Sequence, residues 1–360
     1  MGRFEEVAKK SVMQIKPYVP GKPVAEVQRE LGLKDVIKLA SNENPLGPSK
    51  AAVKAMAKAL DSLNLYPESG AYELRHALAK KLKIKPDTLF FGNGSNELLQ
   101  LIAEAFVSPG DEVMFSAVSF VVYSIAANIT GGIIIQIPQD NFSHNIDGFI
   151  SRLSPKTKLI FICNPNNPTG TIITKAEFEK LMNAVPKNVI VVLDEAYFEY
   201  ADDKNYPDGI KYLSKYPNLI VLRTFSKVYG LAGIRAGYGA ADPEITAIME
   251  RIRPPFNINT LAQKGALAAL GDKAHMAATL KTNKEGRAYL YAELKKLGIK
   301  FVPTQANFIF IILDRNAMIY FEALQKKGVI IRTVFDNFAR ITIGTMKENK
   351  RLIKALKEIK

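Results

Sequence analysis

Of 360 residues one is a cysteine, Cys163, none is tryptophan, and the three histidines, His76, His144 and His275, stand far apart. A single cysteine forms no internal disulfide, and histidines so scattered give no ligand spacing for zinc, so no metal site is expected. Long apolar runs are missing too. None approaches the roughly 20 residues that a membrane-spanning helix needs, and the polar start MGRFEEVAKK lacks the apolar stretch of a secretory signal. The expectation is a soluble, cytoplasmic chain with no membrane partner. Acidic residues are the scarcer charge, 35 against 49 basic, for a formal net charge of +14. That balance raises the local concentration of anions. Yet the lysines are dispersed, no long basic block occurs, and there is no tryptophan for base stacking, so nucleic acid is not an expected partner.

What is present is ordinary globular composition, 48% hydrophobic and 23% charged, in a chain long enough for two domains. Residues 1–45 carry proline and glycine punctuation (KPYVPGKP, SNENPLGP) and read as an arm laid over other structure. From about residue 50, helical periodicity (SKAAVKAMAKAL, SNELLQLIAEAF) alternates with short apolar runs: DTLFFG, DEVMFSA, GIIIQIP, KLIFIC, NVIVVLD, NLIVLRTF and AGYGAA. Near-continuous apolar strands separated by helices indicate an α/β fold with a mostly parallel sheet covered on both faces. In such sheets ligands sit beyond the carboxyl ends of the strands. A long helical stretch is expected from NTLAQKGALAAL onward, then strands in KFVPTQANFIFIIL, GVIIRT and ARITIG. The last helix, MKENKRLIKALKEIK, sets Leu352, Ile353, Leu356 and Ile359 on one face. These patterns divide the chain into an arm (1–45), a large domain (46–254) and a smaller α+β C-terminal domain (255–360).

Four loops that follow strands carry the unusual polar residues. In FFGNGSNELLQ a strand ends in a glycine-rich turn and a helix begins near Ser95, an arrangement whose backbone N–H groups bind phosphate. A dinucleotide fingerprint needs a glycine where Glu97 stands, which removes most of the support for a nicotinamide cofactor. On this motif alone, a strand-to-helix turn with Ser95 as a simple helix cap is the favoured reading. FICNPNNPTG brings Asn164, Asn167, Pro168 and Gly170 to a strand end, as turn formers or as amide donors. In VIVVLDEAYFEY an apolar strand delivers Asp194, whose carboxylate is costly there unless a cation or donor meets it. Glu195 beside it is expected to be solvated. LIVLRTFSKVYGLAGIRAGY ends a strand at Ser226 and Lys227, with Arg235 eight residues on. A lysine with a lowered pKa forms Schiff bases with aldehydes, and the planar fork of an arginine pairs with phosphate.

The strings GNGSNE, NPNNPTG, DEAY and SKxxGLAGxRxGY, in that order, resemble the fold-type-I pyridoxal-phosphate aminotransferases over nearly the whole chain. PYVPGKP, KLASNENPLGPS, LYPESG, PFNINTLAQ, TQANFIFI and ARITIGT are similar to the histidinol-phosphate aminotransferases within that superfamily. The resemblance implies a large domain with a seven-stranded mostly parallel sheet and pyridoxal 5'-phosphate as cofactor. Lys227 would condense with the cofactor aldehyde, Asp194 would face its ring nitrogen, and Asn167 and Tyr197 its ring oxygen. Ser226, Arg235 and the Ser95-Asn96 backbone would hold its phosphate, and Phe120 would stack on the ring. Tyr66 would reach the phosphate held by a partner subunit, which implies a homodimer. Arg340 is implied to hold the substrate carboxylate, and Tyr18 and Arg332 to approach the substrate phosphate, with Asn42 and Asn257 near the site. The interval from Arg332 to Arg340 is shorter than that family usually carries.

The reaction so implied is amino transfer between L-glutamate, which becomes 2-oxoglutarate, and imidazole-acetol phosphate, which becomes histidinol phosphate, in histidine biosynthesis. Aromatic amino-acid transamination and decarboxylation of threonine phosphate are the alternatives on the same fold. A non-catalytic pyridoxal-phosphate-binding module would not require the lysine base.

Overall fold

The computed structural model describes residues 4–359. A two-residue strand in the arm, β1 (Ile37–Lys38), precedes the seven anticipated strands: β2 (Leu89–Gly92), β3 (Glu112–Ser116), β4 (Ile133–Ile137), β5 (Thr157–Cys163), β6 (Ile190–Asp194), β7 (Leu219–Thr224) and β8 (Gly237–Ala240). The seven form one sheet in the order β2-β8-β7-β6-β5-β3-β4. Neighbours from β4 to β7 run parallel, and β8 is antiparallel to both β7 and β2.

Pleating sorts this sheet into two cores. Successive side chains point to opposite faces, so Leu159, Phe161, Cys163, Val192, Ile220 and Leu222 pack with the helices Ser95–Phe106, Val122–Thr130 and Pro243–Ile252. Ile160, Ile162, Val191, Leu193, Leu219 and Val221 pack on the other side with the helices Tyr72–Leu82, Lys175–Ala184 and Thr260–Gly271. Central strands with both faces covered explain why the sequence shows unbroken apolar runs rather than alternation. Each buried Phe or Leu removes enough area from water to stabilise the fold by roughly 1.5–3 kcal/mol.

The remaining strands are β9 (Lys300–Val302), β10 (Phe308–Ile312), β11 (Val329–Ile330), β12 (Arg332–Phe335) and β13 (Phe338–Thr342). Four of them make an antiparallel sheet in the order β12-β13-β10-β9. The helix Met346–Ile359 lays Leu352, Ile353 and Leu356 into the core behind this sheet.

Three local expectations change. GVIIRT is not one strand: it breaks after Ile330, and β11 leaves the four-stranded sheet to pair in parallel with β1 of the arm. The long helical stretch is two helices, Thr260–Gly271 and Lys273–Lys296, divided at Asp272, whose carboxylate caps the second by accepting from His275 N at 3.0 Å. The arm is partly regular, with the helices Lys10–Met13 and Val24–Leu31. Among the described residues, no helix is long and apolar enough to cross a membrane.

Candidate active site

A cavity of about 450 Å³ opens at the carboxyl ends of β5, β6 and β7, where Cys163, Asp194 and Thr224 form part of its wall. The register Cys163↔Asp194↔Leu222 sets the strand ends side by side, and pleat parity turns Cys163, Asp194 and Thr224 toward the same face. Of the candidate positions, Tyr66, Asn164 and Asn257 stand away from this wall.

Lys227 follows β7 in a turn closed by Gly230 N donating to Lys227 O at 3.0 Å. Gly230 adopts φ +69, and a β-carbon there would collide with the Gly47 backbone, so only glycine lets the Gly47–Pro48 loop lie this close. Lys227 Nζ donates to Ser41 O at 3.3 Å. Burial, then the positive charges of Arg340 and Arg235, lower its pKa to about 8. A sizeable neutral fraction near pH 7–8 makes this amine a nucleophile and a proton carrier.

Asp194 is buried, and burial pushes its carboxyl up to about 6 against the opposing donors. Its Oδ2 accepts from Tyr123 Oη at 2.8 Å and its Oδ1 from Ala196 N at 3.2 Å. Tyr197 packs edge-on against Phe308, centroids 5.0 Å apart, and its Oη accepts from Asn42 Nδ2 at 2.9 Å. Asn42 also accepts from Thr342 Oγ1 at 3.2 Å, so its side chain is engaged with Tyr197 and β13. The amides of NPNNPTG divide by task. Asn164 Oδ1 accepts from Ile173 N at 3.0 Å, and Asn166 bonds Ser119, Val118 O and Thr169, so both hold the loop itself. Only Asn167 lines the cavity, and its Oδ1 accepts from Arg340 Nη1 at 2.5 Å. With the oxygen so engaged, the Asn167 amide nitrogen is the end left to donate.

The opposite end is built for an anion. Gly94 caps the helix Ser95–Phe106 at φ +82, and a β-carbon there would strike the Arg235 guanidinium. One on Gly237 would strike Ser95 N. Arg235 itself sits at φ +59, and its Nη1 donates to Ser226 Oγ at 3.3 Å and to Ala232 O at 2.9 Å. A helix start, a hydroxyl and a guanidinium fork converge as a phosphate requires. Glu97 and Asn257 hold this turn from behind: Glu97 Oε2 accepts from Asn93 N at 2.8 Å and from Asn257 Nδ2 at 2.7 Å. Phe120 forms a side wall.

At the cavity mouth Arg332 and Arg340 are direct cross-strand partners of the β12–β13 hairpin. The short interval between them is therefore a tight hairpin turn through Asp336, at φ +43, and it sets both arginines on the same cavity. Arg332 Cζ stands 5.7 Å from the Tyr18 ring centroid, and its Nη1 donates to Val19 O at 2.9 Å. Arg340 Nη2 donates to Ala40 O at 2.6 Å, while its buried Nε has no hydrogen-bond partner. Tyr66 is 82% exposed and stacks on Phe256 with centroids 4.7 Å apart.

Sequence reasoning missed Tyr123, Thr224 and Ser41. Tyr123 follows Phe120 at helical i+3 spacing, which was a usable signal. The contribution of Ser41 is a carbonyl, for which no sequence signal exists. The expectation for Glu195 was wrong: it is fully buried and pairs with Arg223, Nη2 to Oε2 at 2.7 Å. Taken together, a lysine amine, a carboxylate, an amide donor and an anion cradle fit a phosphorylated pyridine aldehyde, and the rigid Gly94–Arg235 cradle is the sharpest test of that fit.

The aminotransferase class I and II family model matches residues 34–356. Histidinol-phosphate aminotransferase of Moorella thermoacetica is 49% identical over 356 residues, covering 98% of this chain and 92% of the relative. That of Caldicellulosiruptor saccharolyticus is 45% identical and covers 99% of both. Among solved structures, histidinol-phosphate aminotransferase of Sinorhizobium meliloti in complex with pyridoxal-5'-phosphate aligns with a TM-score of 0.90 at 26% identity, covering 98% of this chain and 97% of that one. With motifs, sheet order and cavity all in agreement, the chain belongs to the class I and II aminotransferases and, within them, to the histidinol-phosphate aminotransferase family.

Proposed function

We propose that this chain uses pyridoxal 5'-phosphate to move an amino group between L-glutamate and imidazole-acetol phosphate, in histidine biosynthesis. The observation that carries the reading is Lys227, an amine with its pKa lowered to about 8, in one cavity with Asp194, Asn167 and the Gly94–Arg235 anion cradle. When bound, the cofactor supplies an aldehyde for amino groups and an electron-poor ring that absorbs charge from the substrate carbon. Lys227 Nζ would anchor it and, when free as an amine, would carry the proton to and from the substrate carbon. Asp194 keeps positive charge on the ring nitrogen. Asn167 Nδ2 and Tyr197 Oη serve the ring oxygen, Phe120 covers the ring, and Asn42 fixes Tyr197 through their 2.9 Å contact. Ser226, Arg235 and the Ser95 and Asn96 backbone hold the phosphate.

Glutamate carries a carboxylate at the reacting end, and histidinol phosphate carries a phosphate at the far end instead. Arginine forks accept both. Arg340 takes the carboxylate, exchanging its contact with Asn167, while Arg332 and Tyr18 at the mouth take the substrate phosphate. Tyr66, exposed and outside its own cavity, serves the cavity of a partner subunit, so the working unit is a cytoplasmic homodimer. The arm (1–45), large domain (46–254) and small domain (255–360) divide the labour. The four-stranded sheet, which brings Arg332 and Arg340, lies wholly in the last, although its first helix, Thr260–Gly271, packs with the large sheet.

The substrate test compares turnover of histidinol phosphate, phenylalanine and threonine phosphate, with the first expected to dominate. Negligible activity on it, with ready turnover of either other compound, rejects the assignment. Borohydride reduction of the coloured protein followed by peptide mapping is expected to recover the label on Lys227.

A further inference from the structure

Tyr123 belongs to none of the motifs above, yet it ranks among the largest fully buried side chains of the molecule. It lies in the first turn of the helix Val122–Thr130, stacked on Phe161 with centroids 4.7 Å apart and edge-on to Phe120 at 5.8 Å. Phenylalanine would pack as well in such surroundings, and a buried phenol is costly unless its hydroxyl has a partner. The partner is Asp194 Oδ2 at 2.8 Å.

We propose that Tyr123 is a positioning residue for the cofactor ring: its hydroxyl keeps Asp194 ionised and fixes the rotation of the carboxylate, so that its free lone pairs meet the pyridine nitrogen. The proposal rests on the pyridoxal-phosphate reading of the cavity. A donor to a carboxylate favours its charged form, and Tyr123 is the foremost group opposing the burial that raises Asp194. Tyr123 itself is held well above its usual range by burial, so it remains a donor at all working pH. The other titratable groups facing Asp194 are Cys163 from β5, Tyr197 just after β6 and Lys227 after β7. A carboxylate has about four lone-pair sites. Tyr123 and Ala196 N take one on each oxygen, which leaves both oxygens able to accept from a ring N–H. Tyr123 N also donates to Phe120 O at 3.1 Å, so one short segment both covers the ring face and orders the carboxylate.

The test is Tyr123→Phe, which keeps the aromatic packing. Apoprotein is titrated with pyridoxal phosphate and with its 1-deaza analogue, in which C–H replaces the ring nitrogen. Affinity for the pyridine compound is expected to fall about tenfold, as for loss of one hydrogen bond to a charged group, with little change for the analogue. The pH midpoint of the visible absorption band of the reconstituted variant is expected to rise, because a more basic Asp194 draws the ring proton and makes the ring less electron-withdrawing. On an Asp194→Asn background, Tyr123→Phe should then change neither quantity. Equal losses for both compounds, or an undiminished effect on that background, would overturn the proposal and leave the cofactor reading intact. A wild-type protein that takes up neither compound overturns both.

Discussion

Asp194 and Glu195 are consecutive carboxylates, each almost wholly inaccessible, and each pushed upward by burial, to about 6 and about 7. Their surroundings differ completely. Glu195 turns to the face of Arg223, which reaches it through both Nε and Nη2 and also binds Asp208, while Gly209 N donates at 2.8 Å. Phe198 lies against that guanidinium, its centroid 3.4 Å from Cζ. Asp194 turns to the opposite face, where its donors are a phenol and one backbone N–H and the cavity begins. One carboxylate is fully met within the fold. The other is met by neutral donors alone, which suits it to receive a cationic ring nitrogen. Burial by itself therefore does not mark a functional acid; the kind of partner does.

The sharpest way to break this contrast is to remove the cation from the closed side. Arg223→Met leaves Glu195 and Asp208 without it and is expected to cost about 3–5 kcal/mol of stability, read from denaturant midpoints. Adding Glu195→Gln should return much of that loss; a single variant as stable as the parent would show that the pair is not the structural element described. The matching change on the open side, Asp194→Asn, should leave stability unchanged or raised. It should still lower kcat/KM about a hundredfold, since a charge-assisted contact of roughly 3 kcal/mol corresponds to two decades in rate.

The same two residues make a pH experiment. The Asp194 carboxyl titrates near 6 in the folded state against an ordinary 3.8. Between those values the unfolded chain has released its proton and the folded chain has kept it, so apoprotein stability is highest below the lower value and falls as pH rises through the upper one. Asp194→Asn should remove its share of this slope, about 2–3 kcal/mol in full, and leave the share of Glu195, which is raised to about 7. A slope that persists unchanged would assign it elsewhere. The smallest effect is expected at the ring-oxygen side. Asn42→Ala removes the donor to Tyr197 Oη and should cost about 1 kcal/mol, seen as a few-fold drop in kcat with little change in cofactor uptake.

Much of this was legible residue by residue. All seven apolar runs became the seven strands of the large sheet; in the central β5, β6 and β7, burial on both faces shows in the sequence as an unbroken apolar stretch. The glycine-rich turn became the helix-start cradle, because Gly94 at φ +82 against Arg235 is a backbone requirement that the sequence must meet locally. Asn42 and Tyr66 read less directly. Asn42 spends its amide on Tyr197, 155 positions away, and Tyr66 stacks on Phe256 outside its own cavity. Glu195 was misread because polarity suggests solvent, whereas its surroundings are set by Arg223 on the next strand.

The sequence by itself determined the seven strands of the large sheet and the order of the polar loops that follow them, since periodicity, turn chemistry and motif order are local properties. Tertiary structure alone decided the rest: that β1 pairs with β11, that the β12–β13 hairpin brings Arg332 and Arg340 to the same mouth, and that the cavity lies on the Asp194 face and Arg223 on the Glu195 face. These outcomes follow from strand register. In a pleated sheet a shift of one residue reverses every side chain, and no short stretch of sequence encodes the partner that fixes it.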